Sequence, residues 1–158
     1  MSEPCEVRGE FGSSAPMTEQ EIRCRMELVE EHIRVENAQQ MDELIDTFSQ
    51  NPHFVLNSQR TDGRDGVQQL YADLFRGFPD LKSVVKSQYV SREGIVLETV
   101  LSGTHRAEWN GIPATGRSVE VPMCAIFPFN EAEGKLEAEI VYFDGTSLLR
   151  QLGLLPPQ

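Results

Sequence analysis

The chain has 158 residues and a formal net charge of −11 at pH 7, which is long enough for one domain with a sizeable core. An acidic surface of this kind disfavours binding to nucleic acid and to anionic membranes. No apolar run approaches the roughly 20 residues that a membrane-spanning helix needs, and the N-terminus lacks the basic and apolar parts of a signal peptide.

The cysteines indicate the cellular location of the protein, and the N-terminal segment indicates where the domain begins. Cys5, Cys24 and Cys124 are odd in number and lie far apart, which predicts neither a disulfide framework nor a zinc site. We therefore expect reduced thiols and a cytoplasmic location. Residues 1–16 are polar and without periodicity, which predicts a flexible tail or an arm lying on the body of the protein. Residues 17–158 form the one predicted domain.

The first half of the domain has the patterns of helices. Thr18 and Glu21 have the spacing of a capping box, which marks a helix start. Apolar residues then follow on one helical face at Ile22, Met26, Val29 and Ile33. A second, short helix carries Met41, Leu44, Ile45 and Phe48 on one side. Asn51-Pro52 is expected to end it, because the residue before proline avoids the helical region.

A third helix has the clearest amphipathic pattern in the chain. Residues 53–58 predict a short strand before it, and residues 62–66 predict a turn. The apolar positions of the helix recur at helical spacing. They are Val67, Leu70, Tyr71, Leu74, Phe75 and Phe78.

Beyond Asp80 the periodicity changes from that of helices to that of strands. Residues 81–92 and 94–109 predict one antiparallel pair, and residues 117–129 and 135–143 predict another. Pro122 and Pro128 predict an edge or bulged position for the third of these strands, because proline cannot donate to the ladder. Residues 146–152 predict a short final helix.

Helices followed by long strands predict the α+β class, with a curved mixed or antiparallel sheet wrapped around the N-terminal helices. Such a sheet leaves a cavity between its concave face and the helices, and cavities of this kind are default ligand sites. Alternation along 94–109 places His105 on the apolar, inward face. Alternation along the last strand places Asp144 at the end of its inward face, with Glu137 and Glu139 on the opposite, wet face.

Asp144 and His105 are the residues that we predict to be catalytic. A carboxylate and a histidine near one cavity suffice for proton abstraction next to a carbonyl. They do not suffice for nucleophilic hydrolysis, since the chain has no nucleophile elbow. Each residue also has a structural alternative. Asp144 begins Asp-Gly-Thr-Ser, which is good capping chemistry for the last helix, and His105 can be a buried histidine satisfied by a neighbouring strand or by Glu108.

Several motifs resemble those of one known family. They are Gly111-Ile112-Pro113-Ala114-Thr115-Gly116-Arg117, Phe78-Pro79-Asp80, and the stretch from Gly134-Lys135-Leu136 through Tyr142-Phe143-Asp144 to Leu148-Leu149-Arg150-Gln151-Leu152-Gly153. From about residue 21 to residue 155 the chain resembles the SnoaL-like polyketide cyclases. The resemblance implies a cone-shaped α+β barrel of the nuclear transport factor 2 and ketosteroid isomerase type. It also implies a cofactor-free intramolecular aldol ring closure, in which an aspartate exchanges protons and a histidine lies in the pocket; Asp144 and His105 are the matching candidates.

Six further residues are predicted to contact the substrate. They are Trp109, Tyr142, Tyr71, Phe75, Leu101 and Met123. His32, His53 and His105 show no ligand spacing, so we predict no metal site and treat the first two as structural. No cofactor is expected. The expected partners are a small hydrophobic carbonyl compound and a second copy of the chain in a homodimer, with no nucleic acid and no membrane.

Three functions remain open from the sequence. The first is a cofactor-independent cyclase or isomerase that acts on a hydrophobic carbonyl compound, with Asp144 as base or acid and His105 as its partner. The second is a binding protein with the same pocket and no chemistry. The third is an interaction module in which the outer face of the sheet pairs subunits or partners. We rank the enzyme first.

Overall fold

The computed structural model describes residues 16–157, which form four helices and six strands. The helices are α1 (Glu19–Ala38), α2 (Met41–Asp46), α3 (Arg64–Gly77) and α4 (Gly145–Gln151). The strands are β1 (Phe48–Leu56), β2 (Gln59–Asp62), β3 (Lys82–Val90), β4 (Gly94–Thr104), β5 (Ser118–Asn130) and β6 (Lys135–Phe143). The predicted α+β class is confirmed.

The six strands form one curved, mixed sheet in the order β2-β1-β6-β5-β4-β3. β1 and β6 run parallel, and the other neighbours run antiparallel. Within the described residues the sheet does not close on itself, because β2 and β3 are its two edges. Helix α1 contacts β3 and β4 while α3 contacts β1 and β2, so the two long helices cover the sheet.

Helix α1 begins with the predicted capping box. Thr18 Oγ1 accepts a hydrogen bond from the Glu21 amide at 3.2 Å, and the Glu21 carboxylate accepts one from the Thr18 amide at 2.7 Å. These bonds satisfy two amides that the helix leaves free. The buried face of the helix is formed by Val29, His32, Val35 and Glu36. Steps of three and four residues place the histidine and the glutamate on the same face as the valines.

Strand β1 is longer than predicted. It begins at Phe48, and Pro52 lies inside it instead of ending α2. The pairing of β1 with β6 is irregular between Phe48 and His53, so a proline there removes no regular ladder bond. β2 was not predicted, since four residues are too few to show an alternating pattern. It pairs back onto β1 after Asn57, which adopts the left-handed conformation at φ 53°.

Strand β5 lies inside the sheet, between β4 and β6, so the predicted edge position is wrong. Its two prolines lie where a missing amide is tolerated. Pro122 is one residue beyond Met123, the last residue of β5 to pair with β6 at that end. Pro128 lies within an irregularity of the same pairing, between Ile126 and Phe129.

This irregularity is a bulge in β6. From Leu136 to Ile140 the strand advances four residues, while β5 advances three between Phe129 and Ile126. β6 therefore carries one extra residue at this point. Because side chains alternate between the faces of a strand, one extra residue reverses which of them point inward.

The bulge corrects the predicted faces of β6. Glu139, which the alternation places on the wet face, is 5% exposed and points inward with Val141. Tyr142, which the alternation places inward, is 50% exposed. Glu137, before the reversal, is half-buried and accepts a hydrogen bond from Asn130 at 2.8 Å.

The remaining sequence predictions have mixed outcomes. Cys24 and Cys124 are free thiols. Cys5 and residues 1–15 of the predicted tail lie outside the described residues. No helix within residues 16–157 is long and apolar enough to cross a membrane.

Large apolar side chains are exposed on β3 and β6, but the homodimer stays a prediction. These side chains are Val84, Val85, Tyr89 and Tyr142.

Candidate active site

A cavity of about 380 Å³ lies between the sheet and helices α1, α3 and α4. Most of its wall is apolar. The larger apolar side chains in the wall are Phe54, Leu56, Leu70, Tyr71, Leu74, Phe78, Leu81, Leu101, Trp109, Met123, Val141, Phe143 and Leu148. Two buried acids, Glu36 of α1 and Glu139 of β6, face this apolar space. The remaining polar wall residues are less buried and come from β2, α3 and the loop after β4. They are Gln59, Thr61, Gln69, Asp73 and Asn110.

Three buried side chains from three elements meet at the wall of the cavity. The Tyr71 hydroxyl of α3 donates to Glu139 Oε2 of β6. His32 Nε2 of α1 lies 3.2 Å from the same carboxylate oxygen and 3.2 Å from the Tyr71 hydroxyl. Glu139 Oε1 takes part in none of these bonds and accepts no hydrogen bond from the described residues. One oxygen of this carboxylate is therefore held in place while the other is left for a ligand.

The His32 ring is oriented by Thr47. The Thr47 hydroxyl donates to the Leu44 carbonyl oxygen at 2.6 Å, and its oxygen lies 2.8 Å from His32 Nδ1. Because a hydroxyl has a single hydrogen, Thr47 can only accept from Nδ1, which therefore carries a hydrogen. The other ring nitrogen, Nε2, is the one that faces Glu139 and Tyr71.

Glu36 is the second acid of the cavity. Burial raises the pKa of its carboxyl well above the usual range, and the nearby charge of Glu139 raises this pKa further. Burial also raises the pKa of the Tyr71 phenol, with contributions from Glu139 and Glu36. The Glu36 carboxyl makes no hydrogen bond within residues 16–157. The raised pKa favours the protonated form of the Glu36 carboxyl, and this form can donate a hydrogen bond into the cavity.

His32, Glu36, Tyr71 and Glu139 form an acid–base set. Two carboxyls with different surroundings are present: the Glu36 carboxyl has a raised pKa, and the Glu139 carboxylate accepts a hydrogen bond from Tyr71 and lies beside His32. Such a pair can supply the acid and the base that proton transfer requires. Among the residues that the structure describes, no group of His, Cys, Asp and Glu side chains could hold a metal ion.

The sequence model of the SnoaL-like polyketide cyclases matches residues 26–152. The chain belongs to the SnoaL-like polyketide cyclase family. The matched segment includes His32, Glu36, Tyr71 and Glu139, so the acid–base set lies within the SnoaL-like domain. No curated protein sequence matches the chain significantly.

Solved structures share the fold of this SnoaL-like chain. A candidate SnoaL-like polyketide cyclase from Jannaschia sp. CCS1 superposes with a TM-score of 0.80 at 22% identity, covering 90% of this chain and 100% of the other. AclR, a proposed hydroxylase from Streptomyces galilaeus, gives 0.74 at 23% identity, with 85% and 99% covered. A hypothetical protein with a ketosteroid isomerase-like fold from Catenulispora acidiphila DSM 44928 gives 0.66 at 18% identity, with 83% and 98% covered. At these identities the likeness shows the fold.

The structure places four of the six predicted substrate contacts in the wall of the SnoaL-like cavity. They are Tyr71, Leu101, Trp109 and Met123. Phe75 packs in the core beside the cavity and does not line it. Tyr142 lies on the other side of β6, as the bulge requires.

Trp109 is held at the cavity by a tight turn and a close packing contact. Asn110 and Gly111 have positive φ values of 49° and 77°, and Trp109 and Ile112 exchange backbone hydrogen bonds across them. Positive φ at both central residues is typical of a type I′ turn. A Cβ atom added at Gly77 would lie 2.9 Å from Trp109 Cβ. The Trp109 side chain therefore fits against the end of α3 because residue 77 is a glycine.

The His105 side chain points inward, as the alternation predicts, but it does not line the cavity. It is fully buried and stacks on Phe78 with ring centroids 5.1 Å apart, and Phe78 is the residue that lines the wall. His105 Nδ1 lies 3.2 Å from Thr115 Oγ1 and accepts from the Thr115 amide at 3.4 Å. Nε2 has no partner among the described residues. The predicted alternative of bonding to Glu108 is not observed among the described residues, and the contacts instead join the two ends of the loop of residues 105–117.

Asp144 is the N-cap of α4. Its Oδ1 accepts hydrogen bonds from the amides of Thr146 at 2.9 Å and Ser147 at 3.2 Å. The side chain is exposed and does not line the cavity. The structure therefore does not bring Asp144 and His105 together, and the capping alternative describes the contacts of Asp144.

The residues that do meet at the cavity were missed for two reasons. Glu139 was placed on the wrong face by an alternation that the β6 bulge interrupts. His32 was treated as structural, and Glu36 was not considered. The spacing of Val29, His32 and Glu36 could have identified this pair, because a histidine and a glutamate on the buried stripe of a helix need polar partners.

Proposed function

We propose that this SnoaL-like protein is a cofactor-independent cyclase or isomerase that moves a proton next to the carbonyl group of an apolar compound. One observation carries the proposal. Glu139 contacts Tyr71 and His32 through Oε2, and Glu139 and Glu36 line the same apolar cavity. A base and a proton donor in one low-dielectric space are what carbonyl enolisation requires.

The proposed reaction assigns one role to each acid. The Glu139 carboxylate removes a proton from the carbon next to the substrate carbonyl. The electron pair of the broken C–H bond moves onto the carbonyl oxygen, which accepts a hydrogen bond from the protonated Glu36 carboxyl. In ring closure the enolate carbon then attacks a second carbonyl of the same molecule. The new alkoxide takes up the proton that Glu139 removed, which restores the Glu139 carboxylate. In isomerisation the proton of Glu139 returns to a different carbon.

The cavity supports an apolar substrate of moderate size. Its volume of about 380 Å³ lies in the range of roughly 300–1,000 Å³ of small-molecule pockets. Aromatic rings of Phe54, Phe78, Trp109 and Phe143 form much of the wall and favour flat or aromatic compounds. The low dielectric of the buried cavity strengthens the hydrogen bond that Glu36 donates to the carbonyl oxygen as negative charge develops there.

The test is proton exchange at a carbonyl probe. Wild-type protein and the Glu139→Gln variant are incubated in D₂O with 2-tetralone, an apolar ketone with acidic C–H groups, and deuterium incorporation is followed by NMR. We expect the wild type to accelerate exchange. We expect Glu139→Gln to lose roughly 100- to 10,000-fold of that acceleration, as is usual for removal of a general base.

Glu137→Gln is the matched control, because Glu137 lies two residues away on β6 and does not line the cavity. Binding is measured separately by fluorescence of Trp109, the one tryptophan of the chain, which lines the cavity. If the probe binds and the wild type produces no exchange above buffer, the cavity belongs to a binding protein. If both glutamine variants lose exchange equally, the role of Glu139 fails.

A further inference from the structure

His32 lies behind the proposed base, and the hydrogens around it can be counted. The Thr47 hydroxyl gives its only hydrogen to the Leu44 carbonyl oxygen at 2.6 Å. Its oxygen, 2.8 Å from His32 Nδ1, is then an acceptor. Nδ1 must carry a hydrogen, because two facing acceptors would leave this fully buried contact without a bond.

The hydrogen-bonding groups around the other ring nitrogen, Nε2, are different. His32 Nε2, Glu139 Oε2 and the Tyr71 hydroxyl form a triangle of mutual contacts. The phenol donates its hydrogen to Oε2, and its raised pKa keeps that hydrogen in place. The contact between Nε2 and Oε2 then needs one more hydrogen, which sits either on Nε2 or on Glu139. This hydrogen is the one that the histidine and the glutamate can share.

The surroundings of the ring leave no other site for this exchange. Three aromatic rings pack around His32: the ring centroids of Phe48, Tyr71 and Phe127 lie 5.2, 6.3 and 5.1 Å from its own. The ring is fully buried. A 180° flip of the ring would place Nδ1 and Nε2 away from their partners, so the packing and Thr47 together fix one orientation.

We propose that Thr47 is a positioning residue that locks the hydrogen of His32 on Nδ1, so that Nε2 is the ring nitrogen that shares a hydrogen with Glu139. The proposal deepens the proposed function by giving the base a hydrogen-sharing partner. When Glu139 holds a substrate proton, the shared hydrogen remains on Nε2, and the Nδ1 hydrogen never leaves Thr47.

The direct test is the tautomer of His32, measured by ¹H–¹⁵N NMR of histidine-labelled protein over a range of pH. We expect Nδ1 to carry a hydrogen at every pH at which the protein is folded. A bare Nδ1 at any pH overturns the proposal. His53 is an internal reference, because it is half-buried and its ring forms no hydrogen bond within the described residues. This readout does not depend on catalysis, so it can succeed or fail independently of the proposed function.

Two variants of Thr47 add a functional readout. Thr47→Ser keeps the hydroxyl, and Thr47→Val keeps the shape without an acceptor. We expect the serine variant to retain the Nδ1 hydrogen and the pH profile of proton exchange. We expect the valine variant to show both neutral tautomers and a roughly tenfold lower kcat, about 1.4 kcal/mol in activation free energy, with little change in KM. A valine variant with the wild-type tautomer and pH profile would show that Thr47 only packs. If the Thr47→Val variant does not fold, the tautomer of His32 in the wild-type NMR spectrum still tests the proposal.

Discussion

His32 and His105 are both fully buried histidines, yet their surroundings differ in one decisive respect. His32 has a partner on each ring nitrogen, and one of these partners is an acid in the cavity wall. His105 contacts Thr115 through one nitrogen, and its second nitrogen has no partner in the part of the chain that the structure describes. Its ring stacks on Phe78, which lines the cavity. Burial of a histidine therefore does not indicate a function by itself. The partner of the second nitrogen decides what the ring can do.

The two acids beside these histidines show the same contrast. Glu139 is buried, and its Oε1 has no donor among residues 16–157. Asp144 is exposed, and two backbone amides of α4 occupy its Oδ1. The first arrangement leaves a carboxylate available to a ligand, and the second uses a carboxylate to start a helix.

Apart from the loss of the base itself, the largest expected effect comes from making the same substitution at each of the two histidines. His32→Gln should lower the rate of proton exchange at least tenfold, or about 1.4 kcal/mol in activation free energy, because Glu139 loses the ring nitrogen that lies 3.2 Å from its Oε2. His105→Gln should leave the rate per folded molecule unchanged and lower the free energy of unfolding by about 0.5–3 kcal/mol, since it removes packing and a loop contact. Urea unfolding gives the folded fraction for each variant. Equal losses of rate per folded molecule would erase the distinction between the two sites.

A smaller effect concerns Glu36 and the pH dependence of stability. Its pKa is raised in the folded protein, so above the ordinary carboxyl range the folded state binds more protons than the unfolded state. The free energy of unfolding therefore falls as pH rises from about 4.3 towards the raised pKa, by up to about 1.4 kcal/mol per pH unit for one proton. Glu36→Gln should remove this contribution.

The measurement for Glu36 is urea unfolding at several pH values, with Glu27→Gln as the control. Glu27 lies on the exposed side of the same helix, so its substitution should leave the slope in place. A wild type and a Glu36→Gln variant with parallel pH curves would show that Glu36 is not a neutral acid in the folded protein.

The smallest expected effect tests the structural role of Asp144. Asp144→Ala should lower the free energy of unfolding by about 1 kcal/mol, because helix α4 loses its N-cap. Asp144→Ser should restore most of this loss, since serine is also a good N-cap residue. Urea unfolding at neutral pH measures both. No difference between alanine and serine would argue against capping as the role of this side chain.

Patterns that repeat over many residues were predictable from the sequence. The capping box at Thr18, the amphipathic pattern of α3 and the alternation of the long strands each depend on local spacing. They gave the α+β class and the order of most elements. The inward direction of His105 was also correct, because β4 is regular against β5 along its length.

Features that depend on a single inserted residue, or on contacts between residues distant in sequence, were not predictable from local spacing. A single extra residue in β6 turned Glu139 into the cavity and Tyr142 out of it. Phe78 covers His105 only after the chain between α3 and β4 has packed against the sheet. His32 acquires its partners from β6 and α3, and Glu36 acquires its charged neighbour Glu139 from β6, and both elements lie far along the sequence.

The central claim is that Glu139, and not Asp144, is the base of this SnoaL-like protein. The most direct measurement compares Glu139→Gln with Asp144→Asn in the same deuterium-exchange experiment on 2-tetralone. Asparagine caps helices as well as aspartate does, so Asp144→Asn should stay folded and keep its exchange rate, while Glu139→Gln loses roughly 100-fold or more. Loss of exchange in Asp144→Asn with retention in Glu139→Gln would contradict the account.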